Sequence, residues 1–172
     1  MISYRYLNKF IRYMTYTVEL IILFMLQETP GTMPLIFGIK PLLTLSLAIT
    51  ISLLEPEIPA MFFGILAGIT MDFGLGAPVG GSCLILAVIC CFLSAFAKNK
   101  LHVTIGSAML TASFCLGIVT LLLWVFQFVL NGYSHVLTAL ANVYAPVYLY
   151  TVLVTPIVYV VNLGVFRALR EE

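Results

Sequence analysis

Long apolar runs, broken by short polar or glycine- and proline-rich connectors, follow one another along the whole chain. The runs predict helices over 11–27, 41–54, 58–71, 82–97, 104–130 and 143–166. They are longer than ordinary strands, and several approach or exceed the roughly 20 residues with which an apolar helix crosses a bilayer. The breaks have local causes. Pro30, Gly31 and Pro34 mark the first connector, and Glu55-Pro56-Glu57-Ile58-Pro59 is a tight polar turn. A glycine-rich stretch over 73–81 separates the third and fourth runs. Lys98, Asn99, Lys100 and His102 form a basic connector, and 131–142 is a polar loop. Pro41 suits the first turn of the second helix, where its missing N–H costs little. The second and third runs are short. Six spans are expected, and five is the alternative if 41–71 forms one interrupted hairpin.

Composition fixes the solvent. Of 172 residues, 62% are hydrophobic and 9% charged, and the mean hydropathy is +1.13. A soluble domain carries roughly 25% charged residues, so this chain lacks the polar surface to face water. The expected fold is an all-α, polytopic integral membrane bundle filling a single domain over 1–172. Arg5, Lys9 and Arg12 before an apolar run have the layout of a cleaved leader. No small-residue cleavage site follows, and Glu19 interrupts the run, so a retained first helix is expected. The net charge of +1 gives no reason to expect a nucleic-acid partner. Cys83, Cys90, Cys91 and Cys115 all lie in apolar runs and read as small hydrophobes.

Basic residues set the orientation. With six spans and the N-terminus inside, Arg5, Lys9, Arg12, Lys98, Lys100, Arg167 and Arg170 fall on the cytoplasmic side, and only Lys40 lies outside. Both ends are therefore expected in the cytoplasm.

One stretch carries a denser pattern. Gly64, Gly68, Asp72, Gly76 and Gly80 recur at a constant step of four, ending in a loop that contains Pro78. Such a step stays near one helix face. Gly64 and Gly68 let another helix approach closely, which in itself is ordinary packing. Asp72 adds information, because a carboxylate at a helix C-terminus meets the unfavourable end of the dipole. It is expected either to bond backbone N–H groups of the 73–76 turn or to pair across an interface.

This pattern, with Pro41 at the head of helix two and Pro146 in the last helix, is similar to the rod shape-determining MreD family. Leu42 stands where many members carry a polar residue, and Glu19 is not a family feature. The resemblance implies a scaffold of the bacterial cytoplasmic (inner) membrane. Its direct partner is an MreC-like bitopic protein; an MreB-like filament and cell-wall synthases are engaged indirectly. Neither catalysis nor a cofactor is implied. The helices' layout is also similar to the substrate-binding subunits of energy-coupling-factor vitamin transporters. That alternative would draw on Asp72, Asn131, His135, Asn142 and Tyr144, all expected near the outer side.

The remaining polar residues read more simply. Glu19 is the one acid deep in a span, either a polar site within the membrane or bonded to Thr15 or Thr17. Glu55 and Glu57 read as a solvated turn. Tyr144 and Tyr148, at i and i+4, suit a groove for a partner helix or an aromatic belt. His102 and His135 are isolated, and no Ser–His, Ser–Lys or carboxylate–histidine grouping points to an intramembrane enzyme or a metal.

Overall fold

The computed structural model describes residues 2–29, 31, 40–75, 80–100, 105–126 and 140–169. Among them there is no strand. The helices are α1 (Ile2–Glu28), α2 (Leu43–Leu54), α3 (Glu57–Leu75), α4 (Gly81–Lys100), α5 (Ile105–Trp124) and α6 (Ala145–Ala168). A π-helical turn, Leu140–Tyr144, leads into α6. All but α2 are long and apolar enough to cross a membrane. Their outward faces carry large apolar side chains, among them Leu84, Phe92, Leu110, Phe114 and Leu153, each more than 70% exposed. Such a surface fits lipid, not water.

The short helix α2 lies inside the others. Every residue from Leu43 to Leu53 is buried, and α2 touches all five long helices. Its twelve residues rise about 18 Å, too little to cross a bilayer of about 30 Å alone. It nevertheless makes a return pass. At its entry the Lys40 ammonium donates to the Glu28 carbonyl at 3.3 Å, and Thr44 donates to the Gln27 side chain. At its exit Glu55 meets Arg12 and Tyr16. α2 thus runs antiparallel to α1, from the end of α1 back towards its beginning. The stretch 41–71 is therefore two helices, α2 and α3, broken at Glu55 and Pro56, and five of the six described α-helices are long and apolar enough to cross a membrane, with the shorter α2 enclosed among them.

The Arg12 guanidinium lies 5.1 Å from the centre of the Phe166 ring, so the beginning of α1 and the end of α6 share one end of the bundle. Lys98, paired with Glu57 at 3.2 Å, joins them there. Lys40 sits at the opposite end.

Helix boundaries shift from the sequence expectation in identifiable ways. α1 begins well before residue 11. α3 continues through Gly74 to Leu75, because a single exposed glycine weakens a helix by only about 1 kcal/mol. Lys98 and Lys100 belong to the last turns of α4, not to a connector, where positive charge complements the helix dipole. Pro41 does not occupy the first turn of α2. It is buried just ahead of the helix, and Leu42 is the first flanking residue of the helix. The early N–H groups of α2 have been taken up by other helices: Leu42 N–H donates to Thr151 Oγ1 at 3.1 Å and Thr44 N–H to Gln27 Oε1 at 3.4 Å. With those donors satisfied from outside, a proline inside the first turn is unnecessary. Pro146 does occupy the opening of α6.

Candidate functional site

Two constructions meet at the centre of the bundle. The first is the α3–α4 hairpin. The three positions of the step-of-four pattern on α3, Gly64, Gly68 and Asp72, each face the α4 side of the hairpin, in antiparallel order. A Cβ on Gly64 would lie 2.9 Å from the Leu86 carbonyl and 3.0 Å from Cys90 Sγ. A Cβ on Gly68 would lie 2.5 Å from Cys83 Cα and 2.7 Å from its nitrogen. Only glycine permits backbones this close. Asp72 is buried, and its Oδ2 accepts a 2.8 Å hydrogen bond from the Gly80 N–H. The Cys83 thiol lies 3.7 Å from the same oxygen. Asp72 therefore fastens the start of α4 to the end of α3. Its donor lies beyond the turn expected at 73–76.

The ladder is not one helical face. α3 ends at Leu75, and Gly80 comes back from the opposite side of the connector to meet Asp72. Its φ of +132° is a backbone conformation that suits glycine. Gly76 and Pro78 lie outside the described residues.

The second construction is a column of polar contacts around α2. Ser46 Oγ donates to Thr155 Oγ1 at 3.1 Å, and Asn162 Nδ2 donates to Thr50 Oγ1 at 3.0 Å. With Thr151 on Leu42, α6 presents Thr151, Thr155 and Asn162 along one buried face. At the lower end, Arg12 Nε lies 2.7 Å from Glu55 Oε1, and Arg12 Nη2 donates to Oε2 at 3.0 Å. Tyr16 donates to Glu55 at 3.3 Å, and Ser94 Oγ donates to the Glu55 carbonyl at 2.6 Å. The Glu55 side chain has no exposed surface. Four segments, α1, the α2–α3 turn, α4 and α6, are joined here: α1 through the Glu55 carboxylate, α4 through the Glu55 backbone carbonyl, and α6 through Phe166 against the Arg12 guanidinium.

Glu55 is therefore a buried anchor and not a solvated turn residue, and Glu57, partly exposed, opens α3 and pairs with Lys98. Sequence reasoning missed the anchor because its partner stands 43 residues away. For the α2–α6 column the sequence holds only a partial trace, with Thr151, Thr155 and Asn162 at i, i+4 and i+11 on one helix face and Thr44, Ser46, Thr50 and Ser52 on α2.

Glu19 sits near the middle of α1, half-buried, and its Oε2 is enclosed without a hydrogen-bond partner. Thr15 and Thr17 do not serve it, because each donates to its own helix backbone, at Ile11 and Tyr13. The outer-side polar residues are not gathered into a pocket among the described residues. Asp72 is held by Gly80, Asn142 is exposed, and Asn131 and His135, like His102, lie outside the described residues. Tyr144 and Tyr148, with Gly117, Thr120, Leu121, Leu140 and Ala145, do line a mostly apolar groove of about 330 Å³ between α5 and α6. The Tyr148 hydroxyl lies 3.1 Å from Ser113 Oγ.

Comparison of the chain with protein-family models, curated proteins and solved structures found no match.

Proposed function

We propose that the chain is a membrane scaffold of the bacterial cell-elongation (rod) complex. In this reading it lies in the cytoplasmic membrane with both ends inside and holds an MreC-like bitopic protein. It influences cell shape and lateral wall synthesis through that protein, an MreB-like filament and the wall synthases. The observation that carries the reading is the Gly64–Gly68–Asp72–Gly80 pattern, whose members lock one hairpin rather than line a ligand site. A bundle whose central serines, threonines and ion pair are mostly bonded to one another suits holding a partner better than transforming a substrate. The basic residues at the shared end, Arg12, Lys98 and Arg167, favour placing that end in the cytoplasm.

The experiment is depletion in a rod-shaped bacterium together with affinity purification from its membranes. The expected outcome is rounded cells and recovery of a bitopic partner. Rods of normal shape after depletion, or a vitamin co-purifying in place of a protein, would favour the transporter-subunit alternative.

A further inference from the structure

Two enclosed side-chain oxygens among the described residues lack a hydrogen-bond partner: Glu19 Oε2 on α1 and Asn162 Oδ1 on α6. Asn162 has no exposed surface, and its orientation is fixed. Its Nδ2 donates to Thr50 Oγ1 and to the Val158 carbonyl, each at 3.0 Å, so the oxygen is the atom left over. An enclosed acceptor without a donor is costly, above all within a membrane.

The helix register brings the two together. Arg12 of α1 meets Phe166 of α6. Glu19 is two turns beyond Arg12 and lies within about 20° of the same face. Asn162 is one turn before Phe166, on the same side of α6. Measured from the Arg12–Phe166 contact, Glu19 stands about 10 Å and Asn162 about 6 Å into the bundle. Side chains lean towards the N-terminus of their own helix, so in this antiparallel pair Glu19 and Asn162 lean towards each other. The α1–α2 contacts agree. Tyr16 with Glu55 and Gln27 with Thr44 set Glu19 opposite Ser52, within a turn of Thr50, to which Asn162 is bonded. The other flank of α1 is taken by Phe63 of α3, against Tyr13 and Tyr16.

One hydrogen atom satisfies both oxygens. A proton on Glu19 Oε2 turns it into a donor, and Asn162 Oδ1 is an acceptor at the same depth. The charged groups around the site are already engaged. Arg12, Tyr16 and Glu55 are bonded to one another, and the two carboxylates of α3, Glu57 and Asp72, are held near its ends by Lys98 and Gly80. Helix α2 itself carries no ionisable side chain, and on α6 the nearest is the buried phenol of Tyr159.

We propose that Glu19 and Asn162 form a proton-binding site inside the bundle, in which a protonated Glu19 carboxyl donates to Asn162 Oδ1 and so fastens α1 to α6. Loss of the proton sets two acceptors against each other and releases that contact. The site is independent of the rod-complex reading. The test is solid-state NMR of the full chain in bilayers, with carbon-13 in the glutamate and asparagine side chains, assigned on the unaltered sequence. At neutral pH the Glu19 carboxyl carbon is expected at the shift of a protonated acid, with a cross-peak to the Asn162 side-chain carbonyl. Raising the pH should move that carbon to the carboxylate position and remove the cross-peak. In Glu19→Gln an amide takes over as donor, so a cross-peak from residue 19 to Asn162 is expected to persist at every pH. A carboxylate shift at neutral pH overturns the proton, and a cross-peak accompanying it would assign the site to a bridging water instead. A protonated Glu19 with no cross-peak to Asn162 overturns the link between α1 and α6.

Discussion

The α3–α4 hairpin and the α2–α6 contact solve one problem in opposite ways. Lipid gives two apolar helices no hydrophobic reason to associate, so close packing and hydrogen bonding must do it. The hairpin removes side chains: Gly64 and Gly68 bring the backbones together, and Asp72 closes the end through Gly80. The α2–α6 contact keeps side chains and bonds them, Ser46 to Thr155 and Thr50 to Asn162. The first joins neighbours in sequence. The second joins residues 109 and 112 positions apart. Sterics thus define the local unit, and hydrogen bonds define how that unit is held by the rest.

The contrast is broken most severely at Gly68. A leucine there would collide with the Cys83 backbone, so Gly68→Leu is expected to yield no monodisperse protein on size exclusion in mild detergent. Gly68→Ala forces the hairpin apart and is expected to cost about 1–3 kcal/mol, as overpacking does, measured by denaturant titration in micelles. Gly106→Ala is the control, because a Cβ there meets nothing within 4 Å. It is expected to be neutral or mildly stabilising. A harmless leucine at 68 would mean that the close approach has no energetic weight.

Second only to Gly68→Leu, and larger than Gly68→Ala, is the effect expected at the ion pair that ties α1 to the α2–α3 turn. Removing one partner leaves the other buried and uncompensated, so Arg12→Leu or Glu55→Leu should destabilise by about 3–5 kcal/mol. The combined variant should recover much of that loss, because no lone charge remains. The smallest effects lie between α2 and α6. Ser46→Ala and Thr155→Ala are each expected to cost about 0.6 kcal/mol, a typical value for a hydrogen bond between membrane helices. A double-mutant cycle should return a favourable coupling of similar size. Zero coupling would reduce the column to packing and erase the contrast with the hairpin.

What was legible in the sequence follows the same division. The all-helical fold and the glycine–aspartate stretch could be read because their signals are local: apolar length, proline position and a step of four. The return of the chain to one end was legible too, since Arg12, Lys98 and Arg167 are spaced by whole passes. The Arg12–Glu55 anchor was not, because a Glu-Pro-Glu turn looks the same whether it faces water or is drawn into a bundle. Nor was the α2–α6 column, since serine and threonine are common in apolar helices and satisfy themselves on their own backbone, as Ser52 does at Ala48. Only their placement opposite Thr155 and Asn162 distinguishes Ser46 and Thr50.

The enclosed pass also has a history as well as a place. Synthesis proceeds from the N-terminus, at roughly 5–20 residues per second, so α2 leaves the ribosome many seconds before α6. Throughout that interval Ser46 and Thr50 lack their distant partners, and a helix too short to span alone has no complete wall around it. The newborn bundle is open along one side until its last helix arrives to close it. A ribosome stalled before α6 would therefore release a chain with its polar seam exposed to lipid, in a form that membrane quality-control proteases can recognise.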